Sequence, residues 1–211
     1  MFIETLNDTI LKIWPQLTMV IVILIVVRIA ALRNSSKKIT LHEEILNLFS
    51  IIYVLLLFEL LTGAENSSGT GINLVPFEEI FRYKVGSSMF IYNVLGNILL
   101  FLPFGYFVAR YIKSKSFYQI FIVSLITSFT IELLQVKMGR SFDVDDIILN
   151  VIGGILGYFL YVSLNAIKSH LPRFLQSDFI YNIICIIILA ITVIYCINLI
   201  GGINILWILK L

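Results

Sequence analysis

Six uninterrupted apolar runs, each about 16 to 22 residues long, organise this chain: Trp14 to Leu32, Ile45 to Leu61, Ile91 to Tyr111, Phe117 to Val136, Ile147 to Ile167 and Phe179 to Leu199. Roughly 20 apolar residues in an α-helix cross the hydrocarbon layer of a bilayer. The runs are continuous rather than alternating, which excludes an outer-membrane barrel. Backbone groups in lipid must be satisfied within the spanning segment, so the spans have to be helices. Hydrophobic residues make up 59% of the 211 and charged residues only 13%, with a mean hydropathy of +0.99, which excludes a soluble domain of this size. The expected fold is all-α: a polytopic transmembrane helical bundle of about six spans.

Glu4 and Asp8 precede the first run and no small-x-small site follows it, so it reads as a span and not as a cleavable signal. Arg33, Lys37 and Lys38 follow the first span, Arg110, Lys113 and Lys115 the third, and Lys168 and Arg173 the fifth. The positive-inside rule makes these connections cytoplasmic and puts both termini outside, on the side of Glu65, Glu78, Glu79, Asp143, Asp145 and Asp146. Cys185 and Cys196 share the last run without CxxC or metal spacing, and His42 and His170 stand alone in connections that also carry Lys and Arg. These residues read as packing or surface residues, so no metal and no cofactor is expected, nor a nucleic-acid partner. No repeat of 20 to 50 residues and no inverted repeat is visible, which weighs against a two-fold transporter fold.

The longest connection, Thr62 to Phe90, has two parts. TGAENSSGTG is Gly/Ser-rich and reads as a flexible loop. In INLVPFEEIFRYK, Pro76 suits a first helical turn, Glu78 and Glu79 its positive end, and Phe77, Ile80 and Phe81 an apolar side. A short amphipathic helix lying at the outer membrane interface is expected there.

Polar groups inside the spans carry the functional information, because lipid makes them expensive. Asn93 and Asn97 lie one turn apart in the third span, ahead of Pro103, which leaves the Leu99 carbonyl without its helical partner. Ser128, Glu132 and Gln135 draw a stripe along the fourth span, and Asp143, Asp146 and Asn150 another along the fifth, with Asp145 on the opposite side. The third span starts, the fourth ends and the fifth starts on the same side of the membrane. Their polar stripes, with Glu59 at the end of the second span, are therefore expected to converge on one cavity open to the outside. Gly153 and Gly157 continue the fifth-span stripe as a small-xxx-small pair that admits a neighbouring helix. Glu132 needs a proton or a partner, for which Arg140 is the nearest cation. Asp143, Asp145 and Asp146 also suit helix capping, with Ser141 as an alternative cap, and for Asp145 capping is the main expectation.

The segments INLVPF (Ile72 to Phe77), NILLFLPFG (Asn97 to Gly105), ELLQ (Glu132 to Gln135) and GRSFDVDDIILNVIGG (Gly139 to Gly154) resemble the VanZ-like family. That family is named for a membrane protein linked to resistance to glycopeptides, teicoplanin in particular. The resemblance covers about Ile72 to Leu160 and implies a layout of N-terminal spans and a loop over 1–71, a family core over 72–165 and a C-terminal span over 166–211. It carries recurring polar positions onto Asn97, Glu132, Gln135, Arg140, Asp143, Asp146 and Asn150, and helix breakers onto Pro103, Gly105, Gly153 and Gly157. It implies a multi-pass bacterial plasma-membrane protein whose cavity, Asn93 included, engages a cell-envelope ligand, with membrane lipid, a cell-wall precursor or a glycopeptide as partner. Two other classes are open: a membrane enzyme holding a divalent cation on Glu132, Asp143 and Asp146 to act on a lipid-linked phosphate, and a small transporter. The enzyme lacks a His base or a nucleophile in the cluster. For the transporter, no polar stripe runs through to the cytoplasmic side.

Overall fold

The computed structural model describes residues 2–33, 40–62, 71–172 and 174–201. The connection bearing Lys37 and Lys38, the Gly/Ser-rich stretch 63–70 with Glu65, and Arg173 lie outside them. The elements are α1 (Phe2–Arg33), α2 (Leu41–Thr62), β1 (Ile72–Asn73), α3 (Glu78–Arg82), α4 (Ser88–Phe90), a π-helical turn (Ile91–Leu95), α5 (Gly96–Ile112), α6 (Phe117–Lys137), β2 (Phe142–Asp143), α7 (Val144–His170) and α8 (Asp178–Gly201). The fold is an all-α membrane bundle. Four stretches among the described residues are long and apolar enough to cross a membrane: Leu41–Glu59, Ser88–Ile112, Phe117–Lys137 and Val144–His170. Thr18–Arg28 and Asp178–Ile194 are shorter apolar stretches of helix. Each apolar run lies in a helix, but α1 begins well before Trp14, through Glu4 and Asp8.

The helices divide between two compact units, one built on Tyr53–Lys168 and the other on Ile3–Ile52 with Ser169–Leu211. In the first, α6 turns its polar residues inward: Ser124, Ser128, Glu132 and Gln135 are buried, while Leu125, Ile126, Phe129, Leu133 and Val136 are exposed. That inversion suits a lipid solvent, in which an apolar exterior costs nothing and polar groups need protein partners. Apolar packing joins the helices at two levels, Leu57, Phe101 and Ile131 at one and Ala109, Ile120 and Tyr158 at the other.

Glycine brings α5 and α7 into backbone contact. A Cβ on Gly105 would lie 1.9 Å from the Gly154 carbonyl oxygen, one on Gly153 2.3 Å from that of Ile98, and one on Gly157 2.1 Å from that of Leu102. Gly154, which the small-xxx-small pattern does not single out, also makes room on its other side for the Ser124 hydroxyl of α6. Pro103 sits inside α5, and beside it the Tyr53 hydroxyl donates to the carbonyl of Leu100, one residue beyond the Leu99 carbonyl expected to need help.

In the second unit, Arg28 forms a two-pronged ion pair with Glu44, at 2.6 and 2.7 Å. His42 does not stand in a loop as its charged neighbours suggest. It belongs to the first turn of α2, is buried, and meets Asn182 through both its backbone N–H (2.8 Å) and its ring Nδ1 (3.1 Å). Cys185 is a free, partly buried thiol of α8; the Cys196 side chain lies outside the description.

Candidate functional site

The site forms at the end of the first unit where α6 stops and α7 starts. Gly139, at φ 86°, ends α6: its N–H bonds the Val136 carbonyl and that of Arg140 the Gln135 carbonyl, both at 3.0 Å. This paired closure needs a left-handed residue, which glycine supplies without strain. The chain then extends, and Phe142 and Asp143 pair in parallel with Ile72 and Asn73. This short ladder joins the interfacial segment to the α6–α7 turn, positions 70 residues apart in sequence.

Three carboxylates follow within four positions, each with different partners. Asp143 precedes α7 instead of lying on its stripe. Its Oδ1 accepts from the Asp145 N–H at 2.9 Å, which makes it the cap of α7, and from the Asn73 amide at 3.2 Å. Asp145 is 1% exposed, and its two oxygens accept from the N–H groups of Phe77 (2.5 Å) and Ile80 (3.2 Å). It does cap a helix, but that helix is α3 and not its own. It also holds Phe77 at φ 69°, a left-handed conformation uncommon for a residue with a side chain. The interfacial helix is only five residues long, and the turn at Pro76 and Phe77 leads into it from outside. Asp146 accepts from the Asn97 amide of α5 at 2.5 Å.

Behind this layer lie buried groups. Glu132, 1% exposed, accepts from the backbone N–H of Asp143 at 3.0 Å, while Arg140 acts on both Glu132 and Asp146 through its charge. A backbone amide thus shares the part expected of Arg140 alone. One turn deeper, the Asn150 amide donates to the Ser128 hydroxyl at 2.9 Å. Gln135 is buried at the end of α6.

A cavity of about 270 Å³ opens beside the carboxylates, lined by Ile80, Arg82 and Tyr83 of the α3 segment, Asn93 and Val94 of the π-helical turn, Ser141, and Asp143, Asp145, Asp146 and Leu149. Of the residues expected to form one cavity, Asn93, Asp143 and Asp146 reach its wall. Asn97 meets Asp146 there, whereas Glu132, Gln135, Arg140, Asn150 and Glu59 do not line it. The two amides do not act as a pair: Asn93, in the π-helical turn, donates to the Met89 carbonyl at 3.0 Å, whereas Asn97 donates to Asp146. Arg82 and Tyr83 join the wall with no motif to mark them: they belong to RYK at the end of the INLVPFEEIFRYK segment, and nothing in residue spacing ties that segment to α7. Among the described residues no three His, Cys, Asp or Glu side chains are placed to hold a metal ion together.

Comparison with known proteins bears on this region. The chain is similar to Protein VanZ of Enterococcus faecium, at 28% identity over 127 residues that cover 57% of this chain and 73% of that protein. No solved structure matches it. The family model for VanZ/LLP1 matches residues 45–167, which include every side chain lining the cavity and the glycines that join α5 to α7. This helical membrane protein belongs to the VanZ/LLP1 family.

Proposed function

We propose that this protein resides in the bacterial plasma membrane with its cavity and both termini facing outward, and that it lowers susceptibility to teicoplanin-type glycopeptides by engaging a cell-envelope ligand. One observation carries the reading: Arg82, Asn93, Asp143 and Asp146 share a cavity at one end of the family core. Glu132 and Asn150 form the buried polar layer that positions its floor, Glu132 through the Asp143 N–H and Asn150 through Ser128. At about 270 Å³ the space lies below the roughly 300–1,000 Å³ of pockets for drug-sized ligands. It suits one chemical group of an envelope component and not a whole antibiotic.

The test compares bacteria lacking the gene with the same cells expressing the wild-type protein, or Glu132→Gln, Asp146→Asn or Asn150→Ala variants at matched membrane levels. Wild type is expected to raise the inhibitory concentration of teicoplanin several-fold, and each variant to lose most of that rise. Full protection by all three variants would rule the cavity out.

A further inference from the structure

The turn between α5 and α6 keeps a lysine where its backbone would suit glycine better. Only positions 113–116 separate the two spans, and Lys113 stands at φ 51° and ψ 45°, the left-handed region that strains a residue with a Cβ. Glycine is the usual residue at such a helix end. Lys113 is held there from below: its N–H and that of Ser114, the latter at 3.0 Å, both bond the carbonyl of Ala109, a fully buried residue. Ser114 is buried too. Its hydroxyl donates to the Gln119 amide oxygen at 2.7 Å and accepts from the Ser116 N–H at 3.3 Å. The Ser116 hydroxyl in turn caps α6 by accepting from the Tyr118 N–H at 3.3 Å. The turn is thereby fixed, and with Ser114 pointing inward the lysines on either side of it, Lys113 and Lys115, are both exposed.

Backbone strain that persists points to a use for the side chain that carries it. Here that side chain offers charge: from Gly96 to Ile131 the sequence holds no Asp or Glu to offset the two lysines. Tyr111 (86% exposed), Phe117 (52%) and Tyr118 (62%) flank them on the outer surface. Exposed aromatic rings with lysines between them, at the ends of two membrane spans, mark the headgroup depth of a bilayer. A lysine at that depth meets lipid phosphates, and the rings meet the boundary of the acyl chains. An acidic protein segment would match the lysines and leave the rings unused.

We infer that the α5–α6 turn is a docking surface for anionic phospholipid headgroups. Lys113 and Lys115 meet the negative charge, and Tyr111, Phe117 and Tyr118 lie against the glycerol and the upper acyl chains. In the orientation proposed above, the lipids are those of the cytoplasmic leaflet. The inference concerns the end of the first unit opposite to the cavity and depends on that orientation only for naming the leaflet.

The experiment is native mass spectrometry of the full-length protein in detergent, with dioleoyl phosphatidylglycerol, phosphatidylethanolamine and phosphatidylcholine in competition. Only the glycerol lipid carries a net charge. Each lysine beside an anionic lipid is worth about fivefold in affinity, so that lipid is expected to be retained about twentyfold over both others. Lys113→Gly relieves the left-handed strain, so the variant folds, and it should cut phosphatidylglycerol retention about fivefold. Lys113→Arg, which keeps the charge, should stay within about twofold of wild type. Lys113→Gln combined with Lys115→Gln should bring the three lipids within about twofold of one another. Lys84→Gln combined with Lys137→Gln, the same loss of charge from exposed positions at the other end of the first unit, should leave the preference unchanged. Equal retention of the three lipids by wild type, full preference without Lys113 and Lys115, or an equal loss without Lys84 and Lys137 would overturn the inference. Displacement of phosphatidylglycerol by soluble polyglutamate at equal charge concentration would assign the turn to an acidic protein partner and overturn it as well. Retention in detergent does not depend on which way the protein faces, so failure here is distinguishable from failure of the proposed orientation.

Discussion

Asp143, Asp145 and Asp146 show how far apart neighbouring carboxylates can be in what they do. Helical spacing separates Asp145 from the other two, yet all three line the same cavity, and what sets Asp145 apart is its partners. Those partners are in the α3 segment, reached across a connection whose path no local pattern reveals. Capping was legible as a role; the helix being capped was not, because the partner N–H groups lie 68 and 65 residues away. Asp145→Ala should therefore cost more than removal of an ordinary cap. It orphans two N–H groups and releases Phe77 from its left-handed conformation. Hydrogen bonds to charged groups contribute about 1.5–3 kcal/mol each, so a loss of about 3 kcal/mol is expected. Asp145→Asn, which keeps one acceptor oxygen, should lose about half of that. Thermal unfolding in detergent measures the cost, and amide exchange at Phe77 and Ile80 locates it. Unchanged protection of those two amides in Asp145→Ala would show that α3 is held by something else.

The helices were the most legible elements and their ends the least. A hydropathy run marks where lipid can be, whereas a helix ends where its caps are. Hence α1 continues back through Glu4 and Asp8 beyond its apolar run, and α7 begins at Val144, just after its Asp143 cap and three residues ahead of Ile147. The π-helical turn at Ile91–Leu95 left no mark in residue spacing at all. The small-xxx-small spacing of Gly153 and Gly157 did point to a close helix neighbour, but not to Gly105 and Gly154 as the tightest point. At that point a side chain has no room, and the obstacle is backbone, which cannot rotate away. Gly105→Ala must push α5 and α7 apart, and overpacking of this kind costs typically 1–3 kcal/mol, with the upper end expected here. Gly71→Ala, whose new methyl would find Ser141 at an ordinary 3.9 Å, should stay within about 0.5 kcal/mol of wild type. The comparison is made by thermal unfolding of the two purified variants. Equal stabilities would mean that the α5–α7 contact is looser than a backbone-to-backbone fit.

At the scale of the whole molecule, alternation of the spans was enough to bring the start of α5, the end of α6 and the start of α7 to one end. The Asn97–Asp146 and Glu132–Asp143 hydrogen bonds lie there. What alternation does not reveal is which end faces the cell exterior. The electrostatic cue is Arg110 in the last turn of α5 with Lys113 and Lys115 in the α5–α6 connection, at the opposite end from Asp143, Asp145 and Asp146. Basic connections are retained in the cytoplasm. Single cysteines placed at Ser141 and Lys113, both exposed, in a background with Cys185 and Cys196 changed to alanine, report the orientation directly. A membrane-impermeant maleimide should label the Ser141→Cys protein in intact cells and reach the Lys113→Cys protein only after permeabilisation. The inverse pattern would put the cavity in the cytoplasm, where no glycopeptide could meet it. In that case the resistance reading and its dependence on Asp146 would fail together.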